Sequence, residues 1–263
     1  MTQLTVFLDV GGVINDKDQQ ATQWQRLVGS SFVVLLGGSA EGWTRANRLV
    51  TERLLELESV QAMANFVSFY WTYQLKWVRG MCALQNMPIP SVEECMDLAY
   101  RANTWISRRI RAAVPGAAQA VRLLYSQGYR LHTASGSCSI EVAGYLEGMG
   151  VRHYFGRLYG AELINAFKQG PQYYEGIFAD AGVRPTEALV VDDSVEASVG
   201  RRRSEREPSW SAPRFILSKT RYLVSGVWLN YQHRSNNEAD AISRKMAWNA
   251  FAPGCTKLLN TLP

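Results

Sequence analysis

Leu4-Thr5-Val6-Phe7-Leu8 is an apolar run that closes on Asp9 and passes straight into Val10-Gly11-Gly12-Val13. A run of this length ended by Asp and Gly predicts a buried parallel strand whose carboxyl end opens into a loop. A second run of the same kind, Ala188-Leu189-Val190-Val191, ends in Asp192-Asp193-Ser194. In open α/β sheets, ligands bind outside the carboxyl ends of the strands. Two such strands deliver three carboxylates to one sheet edge, and clustered anions repel unless a cation or shared protons hold them.

Between these strands the pattern alternates. From Asp18 to about Ala113 it is helical. Trp43, Ala46, Leu49, Val50, Leu54 and Leu57 fall at spacings of three and four, a stripe for one helix face. Residues 60–84 carry Met63, Phe66, Val67, Tyr70, Trp71, Leu75, Trp77 and Val78, an aromatic-rich stripe expected to form a core. Ser91 with Glu94 is a capping-box signature for another helix running toward Ile110, after a break at Met87-Pro88-Ile89-Pro90. Pro115-Gly116 then opens a helix through Tyr125, and Gly128 ends it before a strand at Tyr129–Thr133. Ala134-Ser135-Gly136-Ser137 follows, then a helix from Ile140 to Met149, a short strand near Arg157–Tyr159, a loop with Lys168 and a helix from Gln172 to Ala181. Strands alternating with helices predict a doubly wound parallel, Rossmann-like α/β sheet with a helical insertion of roughly 90 residues.

Composition bounds the rest. The chain has 263 residues, 47% of them hydrophobic, enough for one α/β core plus an insertion or small second domain. No window approaches the roughly 18 uninterrupted apolar residues of a membrane span, and the N-terminus lacks a signal-peptide pattern. Cys82, Cys95, Cys138 and Cys255 form no CxxC pair and have no His at metal spacing, which points to buried thiols in a reduced, cytoplasmic chain. The formal charge of +5 is unevenly spread: Val199–Pro263 holds 11 Lys plus Arg against 4 Asp plus Glu. The Arg201-Arg202-Arg203 run has no accompanying nucleic-acid reader motif, so neither nucleic acid nor membrane is expected as a partner.

Asp9, Ser135, Lys168 and the Asp192-Asp193 pair, in that order and with a helical insertion after the first, resemble the haloacid dehalogenase-like hydrolase superfamily. The resemblance covers residues 4–16 and 115–198 by motif, and 18–113 by position and helical character. It implies a core of residues 1–17 and 114–198, with a cap at 18–113. It also implies an aspartyl intermediate at Asp9. Ser135 and the Gly136 amide would hold a phosphoryl oxygen, and Lys168 would neutralise charge on Asp9 and substrate. Asp9, the Gly11 carbonyl and Asp193 would ligate Mg2+, with Asp192 orienting Lys168 or water. The expected activity is a magnesium-dependent phosphatase on a small phosphorylated metabolite. The alternatives are a dehalogenase, a phosphonate-cleaving enzyme or an inactive phosphate-binding member. His132 and Cys138 are expected to be structural.

Two departures stand out. The position two residues after Asp9, where such phosphatases carry a second Asp, is Gly11, and general acid-base help is worth roughly 10² to 10⁴ in rate. After Ser198 the expected helix of small residues gives way to Val199-Gly200-Arg201-Arg202-Arg203. A one-base shift with suitable codons restores Trp-Ala-Ala-Ala-Gly-Ala, so residues 199–263 read either as a frameshift product or as a genuine basic tail in which Arg214–Leu217 supplies a further strand.

Overall fold

A computed structural model describes residues 4–57, 65–169, 171–193 and 214–217. Five parallel strands form one sheet in the order β3-β2-β1-β4-β5, with β1 at Thr5–Leu8, β2 at Arg130–Ala134, β3 at Phe155–Tyr159, β4 at Ala188–Asp192 and β5 at Arg214–Leu217. The two runs that end in carboxylates are therefore adjacent strands at the centre. Every residue of β1 is buried. Alternation along the strand sends Val6 and Leu8 into one apolar layer and Phe7 into the other, as expected of a strand covered on both faces.

Helices supply the two covers. On the Phe7 side, α8 (Pro171–Ala181) packs Tyr173, Tyr174, Ile177 and Phe178, with Phe178 edge-on to Phe7 at 5.3 Å. On the other side lie α5 (Ala117–Ser126) and α6 (Ser139–Gly148), and that layer runs without interruption into the insertion. The insertion holds α1 (Lys17–Leu36), α2 (Ala40–Leu57), α3 (Phe66–Leu84) and α4 (Val92–Ser107). Its centre is Phe32 against Trp43 at 5.0 Å and Trp77 at 5.3 Å. Where α4 crosses α6, a Cβ on Gly144 would stand 2.1 Å from Ser107 Oγ, so glycine permits the close seating of insertion on core.

The capping box predicted at Ser91 and Glu94 is present, with both reciprocal bonds formed. Two stripe assignments need correction. Leu49 is 45% exposed and Trp71 50% exposed, so each lies off the buried face of its helix. The Leu57 side chain and Met63 fall outside the described residues. In the basic tail, Arg214–Leu217 pairs in parallel with β4. The remainder of the proposed 199–263 segment, including the Val199 junction of the frameshift reading, lies outside the described residues.

Candidate active site

The site is built by strand register. Leu8 stands level with Thr133 of β2 and Val191 of β4, so the next residue of each strand reaches the same lip. Asp9 extends the ladder by one bond, its amide donating to the Val191 carbonyl at 2.9 Å. Asp192 is the last residue of β4 and Asp193 follows. One carboxylate oxygen from each of Asp9, Asp192 and Asp193 lies within 4.8 Å of the others.

The loop after β1 is folded tightly against this cluster. Ile14 and Asn15 donate to the Val10 carbonyl at 3.0 and 2.7 Å, and the Asp16 amide donates to Ala112 where the chain returns from α4. Gly12 has φ +84°, and a Cβ there would stand 2.0 Å from Asp193 Oδ2. No other residue type permits both that turn and that approach.

Lys168, on the loop between α7 (Ala161–Ile164) and α8, places Nζ 2.8 Å from Asp9 Oδ1 and 2.8 Å from Asp192 Oδ2. Its side chain is 9% exposed. Asp9 Oδ1 also accepts the Val10 amide at 2.7 Å. Asp192 Oδ2 accepts the Tyr174 hydroxyl, and burial together with Asp192 pushes the phenol's pKa up, so it stays a donor. Burial raises the Asp9 carboxyl to about 7 although Lys168 pulls it down, and the charges of Asp192 and Asp193 push it further up.

Ser135 follows β2 and is buried. Its amide bonds the Tyr159 carbonyl at 2.9 Å, and its carbonyl accepts the Tyr173 hydroxyl at 2.7 Å. Its hydroxyl accepts the Ser137 amide at 3.1 Å, a turn bond that leaves the O–H proton to donate elsewhere. Gly136 is exposed, and a Cβ there would lie 3.8 Å from Lys168 Cβ, so the Ser135-Gly136 loop and Lys168 are neighbours. His132 Nδ1 accepts the Arg157 amide at 2.9 Å, and burial lowers its pKa. Cys138 is buried with its thiol pushed well up by burial. Neither fits a general base or a nucleophile.

Two neighbours of the acidic cluster had no sequence signal strong enough to single them out. Tyr174 looks like one more aromatic on an apolar helix. Lys17, the first residue of α1, grips Asp193 with Nζ at 2.9 Å from Oδ1 and 2.7 Å from Oδ2. Partial burial would pull that ammonium's pKa down, but the bonds to Asp193 and the charge of the cluster leave it raised. Its stem passes over Gly11, with Cε 3.4 Å from where a Cβ would stand. The signal available was its place directly after the helix N-cap Asp16, eight residues beyond Asp9.

A sequence model of haloacid dehalogenase-like hydrolases matches residues 4–197. The chain belongs to that hydrolase family. Hexitol phosphatase B of Escherichia coli O157:H7 is 29% identical over 139 residues, which are 50% of this chain and 63% of that protein. The K12 protein of the same name is 29% identical over 136 residues, 49% of this chain and 61% of its own length. The match thus spans under two thirds of either phosphatase. Among solved structures, a defluorinating L-2-haloacid dehalogenase superposes with a TM-score of 0.51 at 13% identity, covering 83% of this chain and 92% of its own. The L-2-haloacid dehalogenase of Xanthobacter autotrophicus gives 0.46 at 15% identity, covering 89% and 100%. At such identities the likeness is one of fold. Among the described residues of this hydrolase, no helix is long and apolar enough to cross a membrane.

Proposed function

We propose that this hydrolase is a magnesium-dependent phosphatase that cleaves a small phosphorylated metabolite through an aspartyl-phosphate at Asp9. The observation that carries the proposal is the convergence of Asp9, Asp192 and Asp193 within 4.8 Å at the sheet lip, with Lys168 bridging the first two. The similarity to hexitol phosphatase B supports phosphate as the group transferred.

Among the described residues, the Val10 amide and Lys168 both meet Oδ1 of Asp9, which leaves Oδ2 to attack phosphorus. Lys168 neutralises charge on Asp9 and on the arriving phosphate. Asp192, buried and bonded to Lys168 and Tyr174, fixes where that ammonium stands. The Ser135 hydroxyl and the Gly136 amide hold a phosphoryl oxygen.

The donor set suits a hard cation. Asp9, Asp193 and the Gly11 carbonyl offer oxygen only, the Lys17 ammonium already stands in as a cation on Asp193, and Gly12 keeps the approach to that carboxylate open. Magnesium held by these residues would offset the charge of the transferring phosphate. With Gly11 in place of a second carboxylate, the leaving oxygen is not protonated by this loop, so activated esters are the better substrates.

The test is hydrolysis of p-nitrophenyl phosphate by the full chain with and without Mg2+. Release that needs Mg2+ and vanishes in Asp9→Asn is the expected result. Halide release from 2-chloropropionate without metal, in place of phosphate release, would replace this proposal with the dehalogenase alternative.

A further inference from the structure

We propose that Lys17 is a built-in competitor for the divalent cation: its ammonium occupies Asp193 while the ion is absent and leaves when the ion binds, so Lys17 sets the metal affinity of the site. This rests on the assignment of Asp193 as a metal ligand.

Both oxygens of Asp193 are engaged by the one ammonium, at 2.9 and 2.7 Å. A magnesium ion sits about 2.0–2.1 Å from a carboxylate oxygen and demands near-octahedral surroundings. Lys168 engages only Oδ1 of Asp9, whereas Lys17 engages both oxygens of Asp193, so an ion ligated there meets the ammonium at whichever oxygen it takes and is opposed by its charge. The charge count agrees. With the three carboxylates ionised, Lys168 leaves a charge of minus two, which one divalent ion neutralises; Lys17 in addition would overshoot.

The two lysines differ in how easily they can leave. Lys168 is 9% exposed and tied to two buried carboxylates, whereas the Lys17 side chain is 58% exposed and tied to one that is itself 20% exposed. Releasing Lys17 returns its ammonium to water at little cost. The Lys17 stem lies alongside Gly11 on its way to Asp193, with Cε and Cγ at 3.4 and 3.6 Å from where a Cβ would stand, ordinary contact distances.

The experiment measures metal binding by the full chain, with no substrate present. Mn2+ is titrated by electron paramagnetic resonance, and Mg2+ by its competition with Mn2+, for the wild type, Lys17→Met and Asp193→Asn. Thermal melts establish that each is folded, and Lys17→Gln replaces the Met variant if that one is not. Removal of the competitor is expected to tighten Mn2+ and Mg2+ binding at least about threefold, and Asp193→Asn to weaken it. Unchanged or weaker binding in the Lys17 variant, with Asp193→Asn still impaired, overturns the competitor and leaves the metal assignment standing. Binding that is indifferent to Asp193→Asn, or absent from every protein, overturns both.

Discussion

The inner and outer halves of the acidic cluster use the same bond in different surroundings. Inside, Lys168 lies 2.8 Å from Asp9 and from Asp192; outside, Lys17 lies 2.7 Å from Asp193. The lengths differ by 0.1 Å, but the inner lysine side chain is 9% exposed and the outer 58%. Burial decides what each pair does. Loss of one partner from a buried pair strands a charge and costs about 3–5 kcal/mol, whereas an exposed pair is worth about 0–1 kcal/mol. The inner half is thus the costlier to break and the outer half the cheaper.

Lys168→Met is the strongest way to break that contrast. It leaves Asp9 and Asp192 facing each other without their ammonium, and it is expected to lower unfolding free energy by about 3–5 kcal/mol in urea titrations and to abolish turnover. Lys17→Met is the matching control, expected to cost no more than about 1 kcal/mol. Equal losses in the two would show that exposure does not separate them.

Gly11→Asp probes the outer half. Position 11 is not in the left-handed region, and the neighbouring Lys17 stem is flexible, so a side chain can be seated there. A carboxyl group here can protonate the leaving oxygen, and a gain of about 10² is expected in kcat for an alkyl phosphate, with a much smaller gain for p-nitrophenyl phosphate, whose leaving group needs no proton. An equal effect on both esters would mean that the new carboxylate acts only by drawing Lys17 away from Asp193. That outcome would turn a question of acid catalysis into one of cation exchange.

The same division governs what the sequence could reveal. Asp9, Asp192 and Asp193 were legible because a buried parallel strand is an uninterrupted apolar run, and its end is marked by the first charge. Register then places those ends side by side without further information. β3 was read from Arg157, although it begins at Phe155, because Gly156 and Arg157 are exposed and break the apolar signal. The first half of α1 gave no stripe: its buried residues begin only at Val28. Lys17 and Tyr174 were missed for a different reason. Their partners lie 176 and 18 residues away, and a lysine at a helix start or a tyrosine in an apolar helix has an ordinary explanation until the fold brings those partners in.

Glu141 sharpens the comparison from the opposite side, because its charged neighbour is another carboxylate, Glu162, where Asp9 has Lys168. Burial, with Glu162 adding to it, raises the Glu141 carboxyl from 4.5 to about 7. A raised carboxyl binds its proton more tightly in the folded chain than in the unfolded one. The folded state therefore holds the extra proton between pH 4.5 and 7, and stability falls as pH rises through that window. Glu141→Gln removes the dependence. The variant is expected to melt about 6–12 °C above wild type at pH 8, the shift that roughly 3 kcal/mol makes in a domain of this size, and the gap should close below pH 4.5. A gap that persists unchanged at pH 4 would trace the gain to packing by the amide and would remove Glu141 as the carboxylate-flanked counterpart of Asp9.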